Sequence, residues 1–191
     1  DTDWFRRNPD HFDRVLYHIG NSEFHRHMFA LLRSIPGTVV LHDFYLSNLI
    51  RHLDLSGLEP GLWPRMLYYS HGYRAVSDLQ NASTDLAAMW RYPTNLQVLQ
   101  DADGVIVHSH YARQLAHQWY GVDDGESWQV VPLMRPPARV TPQQRSRARG
   151  ALGFADDEFV ICSFGMTGPT KLNLELVHAF AEAVSPGVVR C

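Results

Sequence analysis

Cysteine is nearly absent from this sequence. Only Cys162 and Cys191 occur among 191 residues, too few for a disulfide framework, and Cys162 lies inside an apolar run. Both read as reduced thiols in a cytoplasmic setting. No apolar run approaches the roughly 20 residues of a membrane-spanning helix, and the N-terminus lacks a secretory-signal pattern. A strong excess of charge is missing as well. The net charge is only -3, which argues against a nucleic-acid partner held by bulk electrostatics. The one basic cluster, Arg145, Arg147 and Arg149, reads as a solvated helix. Repeats and low-complexity segments are also lacking. The chain opens Asp1-Thr2-Asp3 without methionine and stops at Val189-Arg190-Cys191 just after a helical pattern, so it reads as a piece of a longer protein.

What is present is the balance of a globular chain, 45% hydrophobic and 19% charged. Short apolar runs recur at Val15–Ile19, Thr38–Leu41, Gly104–Val107, Gln129–Leu133 and Phe159–Phe164. Most are uninterrupted, as expected of strands covered by helices on both faces. Helical stripes fall between them. Phe24, Met28, Leu31, Leu32 and Ile35 form one, stopped by Pro36-Gly37. Ala112, Leu115, Ala116 and Trp119 form another, closed by Gly121; Val177, Phe180, Ala181 and Val184 form a third. This alternation predicts an α/β fold built on a doubly wound parallel sheet.

Residues 45–102 hold no strand-like run and read as several helices. Thr94 and Gln97 have capping-box spacing, as do Thr141 and Gln144, where Pro142 fits the first turn. The aromatic stretch Trp63 to Tyr73 fits an amphipathic packing helix better than a sugar or lipid groove. A boundary falls at Met134–Val140, where Pro136-Pro137 break the pattern. The organisation expected is one domain over 1–135, a linker with a short helix over 136–154, and the start of a second domain over 155–191.

In an open α/β sheet, ligands bind beyond the C-terminal ends of the strands. That rule selects Asn21 after the first run, His42 and Asp43 after the second, and His110 after the third. After the last run comes Gly165-Met166-Thr167-Gly168-Pro169-Thr170-Lys171. Its small residues let backbone amides approach a ligand, the next helix offers its positive N-terminus, and Lys171 can pair with a phosphate. No Walker loop or dinucleotide fingerprint is present there, and a Gly-Pro turn with a solvated lysine is the other reading. An imidazole at His42 can bond a sugar hydroxyl or move a proton, or can be a core histidine satisfied by backbone. Asp43 can orient a ligand or cap the helix that starts near Tyr45. His25 and His27 would face apart on a helix. His108 and His110 would share a face on a strand, but no carboxylates stand near them in sequence, so no metal site is expected.

Taken in order, Tyr17-His18-Ile19-Gly20-Asn21-Ser22, Leu41-His42-Asp43-Phe44, Asp101 through Ser109, Val130-Val131-Pro132-Leu133, Leu152-Gly153-Phe154 and Gly165 through Lys171 resemble bacterial family-4-type glycosyltransferases. The resemblance covers nearly the whole chain. It implies a GT-B architecture with Rossmann-like domains, incomplete at both ends: much of the N-terminal acceptor-side domain and the opening of the C-terminal donor-binding domain. It implies sugar transfer with retention from a nucleotide-diphosphate sugar to a carbohydrate, lipid-linked or protein acceptor, in polysaccharide or glycoconjugate biosynthesis. No metal and no cofactor beyond that donor are implied.

In the same resemblance, Lys171 pairs with the donor diphosphate, Gly165 lets the backbone pass close to the phosphates beside Thr170, and His42 contacts the sugar near the reacting centre. Asn21, Asp43 and His110 fall on the acceptor or sugar side. One departure is Met166, where many members carry an arginine. The paired downstream glutamates of the family lie beyond this chain, so it is not expected to turn over alone. The setting implied is cytoplasmic, with peripheral contact at the inner face of a membrane for a lipid-linked acceptor. Two rival readings share the sheet: a nucleotide-sugar hydrolase or epimerase, and a non-catalytic binding module, which Met166 favours.

Overall fold

The structure is a computed structural model that describes residues 2–121, 128–134, 137, 139–165, 167–168 and 171–183. Four short apolar runs pair as strands β1 (Leu16–Ile19), β2 (Thr38–Leu41), β3 (Gly104–Val107) and β4 (Trp128–Val130). All pair in parallel, in the spatial order β1-β2-β3-β4. β2 and β3 match the predicted runs residue for residue, whereas β4 starts one residue early and ends at Val130.

Helices fill the intervals: α1 (Thr2–Arg7), α2 (Arg26–Ser34), α3 (Ser47–Leu55), α4 (Leu62–Asn81), α5 (Asp85–Arg91), α6 (Leu96–Asp101), α7 (His110–Tyr120), α8 (Pro142–Ala151) and α9 (Asn173–Ala183). None among the described residues is long and apolar enough to cross a membrane. The chain divides into two compact units, 1–135 and 136–191.

In the first unit, the odd-numbered residues of the leading strands build the core. Tyr17, Ile19, Val39, Leu41, Val105 and Val107 pack with Leu31 and Leu32 of α2, Ile35 just after it, Val98 of α6, and Leu115 and Ala116 of α7. The even-numbered face is open by comparison: Leu16 is 52% exposed, His18 is exposed and Ile106 is half-buried, although Val40 is buried. The predicted burial on both faces is therefore not what the described strands show. Their order has a physical consequence. Right-handed crossovers that all step the same way place their helices on one face, and no reversal of direction occurs among the described strands.

A second core unites α3, α4 and α5 through Leu49, Ile50, Leu53, Trp63, Met66, Leu67 and Met89. Phe29 and Trp119 pack against both cores. Within α4 the aromatic stretch divides by position. Trp63 is buried, whereas Tyr68, Tyr69 and Tyr73 lie at least half exposed. The helix kinks at Gly72, whose φ of 74° is one that a side chain would resist.

Two predicted features fail. Phe159–Phe164 forms no strand, and Phe159 and Phe164 are 80% and 91% exposed. A strand needs a ladder partner, and no strand is present among the described residues of the second unit. The Thr94–Gln97 capping box does not form either. Thr94 has a φ of 49° and donates its hydroxyl to Ser47 Oγ at 3.3 Å, while its amide donates to His71 Nε2 at 3.3 Å. By contrast, Thr141 and Gln144 form their box in full, with bonds of 3.2 and 2.9 Å.

The polar groups at the junction of the cores are paired through neighbours far away in sequence. Asn95, fully buried, donates to the Phe44 carbonyl at 2.6 Å and accepts from the Tyr120 hydroxyl at 2.6 Å. Ser47 donates to the Tyr92 carbonyl. Burial lowers the pKa of His71 from 6.5 to about 4, which leaves its Nε2 lone pair free to accept the Thr94 amide. Asn95→Ala leaves a buried carbonyl and a partly buried hydroxyl without their partner, and a loss of about 3 kcal/mol is expected. Urea unfolding measures it; a loss below about 1 kcal/mol would show that the network is not needed.

Candidate functional site

Three histidines meet at the C-terminal end of the sheet because the strands pair in step. Ile19, Leu41 and Val107 are level with one another. One residue further, the His42 amide still donates to the Ile19 carbonyl at 2.8 Å, and the Val131 amide donates to the Val107 carbonyl at 2.9 Å. The period-two alternation of an extended chain then puts His18, His42 and His108, all even-numbered, on the open face. His42 and His108 are level; His18 sits diagonally below.

The rings touch edge to edge. His18 Nδ1 lies 3.0 Å from His42 Nε2, and His42 Nδ1 lies 2.9 Å from His108 Nε2. His108 Nδ1 lies 2.8 Å from the Val131 carbonyl oxygen. His42 is thus an exposed residue with both ring nitrogens engaged by other imidazoles, and not a core histidine satisfied by backbone. Its pKa is lowered, first by partial withdrawal from water, then by the charges His108 and His18 would carry; Asp43 opposes this and His25 adds slightly to it. A neutral imidazole donates from one ring nitrogen and accepts at the other, so His42 can link the two rings beside it.

Beside the histidines, Asp43 accepts the Asn21 amide at 2.9 Å, and Asn21 Oδ1 accepts the Leu49 amide in the first turn of α3 at 2.9 Å. The cap of α3 therefore comes from Asn21. Asp43 does not supply it, because its carboxylate turns back to the loop after β1. Gly20 makes this packing feasible: a β-carbon there would lie 3.2 Å from both Asp43 Oδ2 and His25 Nε2. The other ring nitrogen of His25 is buried without a partner.

The remaining predicted residues lie elsewhere. His110 is the first residue of α7 and exposed, after the Ser109 cap, and it takes no part in the histidine bonds. In the second unit Gly165 has a φ of 113°, a conformation that favours glycine. Lys171 is exposed two residues before α9, and its amide donates to the Gly168 carbonyl at 2.9 Å. Asn173 ties the loop together by accepting the Gly168 amide at 3.4 Å and donating to Ser163 Oγ at 2.8 Å. Thr170 and Met166 lie outside the described residues.

Sequence reading missed His18 and paired His108 with His110. The signal that finds the trio is shared parity across three strands, which needs the register. No group of three or more His, Cys, Asp or Glu side chains is arranged to hold a metal among the described residues. A cavity of about 420 Å³ opens among Ser70, Leu96, Leu99, Gln100, Trp119, Tyr120 and Trp128. None of the histidine site lines it. Comparisons with protein-family models, curated proteins and solved structures find no match.

Asn21→Ala frees an amide in the first turn of α3 and removes the link from that helix to the site. It is expected to cost about 1 kcal/mol, as for loss of a helix cap, measured by urea unfolding. Unchanged stability would leave the Asn21 side chain to a ligand rather than to the fold.

Proposed function

We propose that this chain is part of a retaining, sugar-nucleotide-dependent glycosyltransferase of GT-B type, resembling the bacterial family-4 enzymes. Residues 1–135 correspond on this reading to part of a doubly wound, Rossmann-like acceptor-side domain. Residues 136–154 are the linker, and residues 155–191 open the donor-binding domain. The observation that carries the reading is His42, exposed directly past β2 at the end of a parallel sheet where ligands of α/β folds bind, with its ring held by two neighbouring imidazoles.

The chemistry follows from charge and positioning. An acceptor hydroxyl attacks the anomeric carbon while the bond to the nucleotide diphosphate breaks. Lys171, the single lysine of the chain, stabilises the charge growing on the leaving diphosphate, with Gly165 and Thr170 as the other donor-binding residues of this reading. His42 packs its ring against the sugar near the reacting centre, with both ring nitrogens held by His18 and His108, and Asp43 and Asn21 shape the wall beside it. The protein's contribution is orientation and preorganised electrostatics. The protein works in the cytoplasm on this reading, at the inner membrane face when the acceptor is lipid-linked.

Calorimetric titration with a panel of nucleotide diphosphates tests the donor half. Magnesium-independent binding that weakens about tenfold or more in Lys171→Ala is expected, the cost of roughly one charged contact. Because no other lysine is present, amine acylation of that side chain, slowed by bound nucleotide, reports the same contact independently. Equal affinity of wild type and variant, or no binding, would reduce the loop to a turn.

A further inference from the structure

The carbonyl oxygen of Val131 can only accept, and it lies 2.8 Å from His108 Nδ1. The proton of His108 is therefore on Nδ1, and its Nε2 presents a lone pair to His42 Nδ1, 2.9 Å away. His42 must donate from Nδ1, which leaves its Nε2 as a lone pair facing His18 Nδ1 at 3.0 Å. His18 donates in turn from Nδ1. Reversing the chain would aim the His108 Nδ1 lone pair at a carbonyl oxygen, a repulsive contact. One nitrogen remains, His18 Nε2, an acceptor without a partner among the described residues, on an exposed side chain.

We infer that His18, His42 and His108 form one directional proton-accepting unit, with tautomers set by the Val131 carbonyl and with His18 Nε2 as its open end. The balance is simple. A proton taken up at His18 Nε2 lets His18 Nδ1 pass its proton to His42 Nε2, and His42 Nδ1 pass its own to His108 Nε2. Nothing leaves at the far end, because the Val131 carbonyl is not a base. The unit stores one proton and does not conduct it through.

A second proton meets the charge of the first on an adjacent ring. The groups facing His42 are His18 from β1, His108 after β3, Asp43 in its own segment and His25 from the turn before α2. Asp43 favours the first proton, and the three histidines oppose a second. His18 is thereby the contact residue, and His108 is a positioning residue that acts through His42. The identity of the contacting group as a sugar hydroxyl rests on the function proposed above; the direction of the unit does not.

The test uses the full 191-residue chain with ¹⁵N-labelled histidine and two-bond proton–nitrogen correlation spectra. All three rings are expected as the Nδ1–H tautomer at neutral pH, against the Nε2–H form that free imidazole side chains favour. They are expected to take up a single shared proton on acidification. In His108→Ala, checked for folding by its backbone amide spectrum, His42 and His18 are expected to revert toward Nε2–H. An Nε2–H tautomer on His42 or His18 of the wild-type chain, or three independent titrations, would overturn the inference. Correct tautomers in a chain that binds no nucleotide would uphold this unit and sink the transferase reading; binding with mixed tautomers would do the reverse.

Discussion

Everything at the candidate site depends on the in-step parallel pairing of β1, β2 and β3. With Ile19, Leu41 and Val107 level, parity sends the odd-numbered side chains to the helices and the even-numbered ones to the open face. A slip of one residue in β2 would bury His42 among α2 and α7 and turn Val39 and Leu41 outward, at a cost of several kcal/mol in lost apolar burial. The core thus enforces the register, and the register assembles the histidines. Their chemistry is a by-product of packing on the far side of the sheet.

Rigidity comes from polar groups that bridge distant segments. Asn95 joins the loop after β2 to α7, Ser47 joins α3 to the segment after α5, and Asn21 joins the loop after β1 to α3. Each satisfies backbone or hydroxyl groups that would otherwise be stranded in low dielectric. Thr94 holds a backbone conformation that threonine disfavours, and the His71 and Ser47 bonds hold it there. The loops that present His42 and Asp43 are tied down from behind, so a ligand would meet groups already in place.

Much of the architecture was legible because it follows from local pattern. Unbroken runs such as Thr38–Leu41 and Gly104–Val107 mark buried parallel strands, and the stripe Leu115, Ala116, Trp119 with Gly121 behind it marks a capped helix. The failures share a cause. Thr94 and Gln97 have the spacing of a capping box, but Ser47, 47 residues away, claims the threonine hydroxyl. Phe159–Phe164 has strand composition but no partner among the described residues. His108 and His110 look like a pair in sequence, yet the first continues β3 and the second starts a helix. Spacing along the chain reports local conformation, whereas register and long-range hydrogen bonds decide which side chains meet.

The central claim is that ligand chemistry belongs to the histidine end of the sheet rather than to the aromatic cavity beside Trp119. Adding a nucleotide sugar while following the ring-proton resonances of all histidines tests it most directly. Saturable shifts of His18, His42 and His108, with the buried His71 near Trp119 unmoved, are the result this account predicts. Shifts confined to His71 and the cavity, with the three rings unchanged, would contradict it.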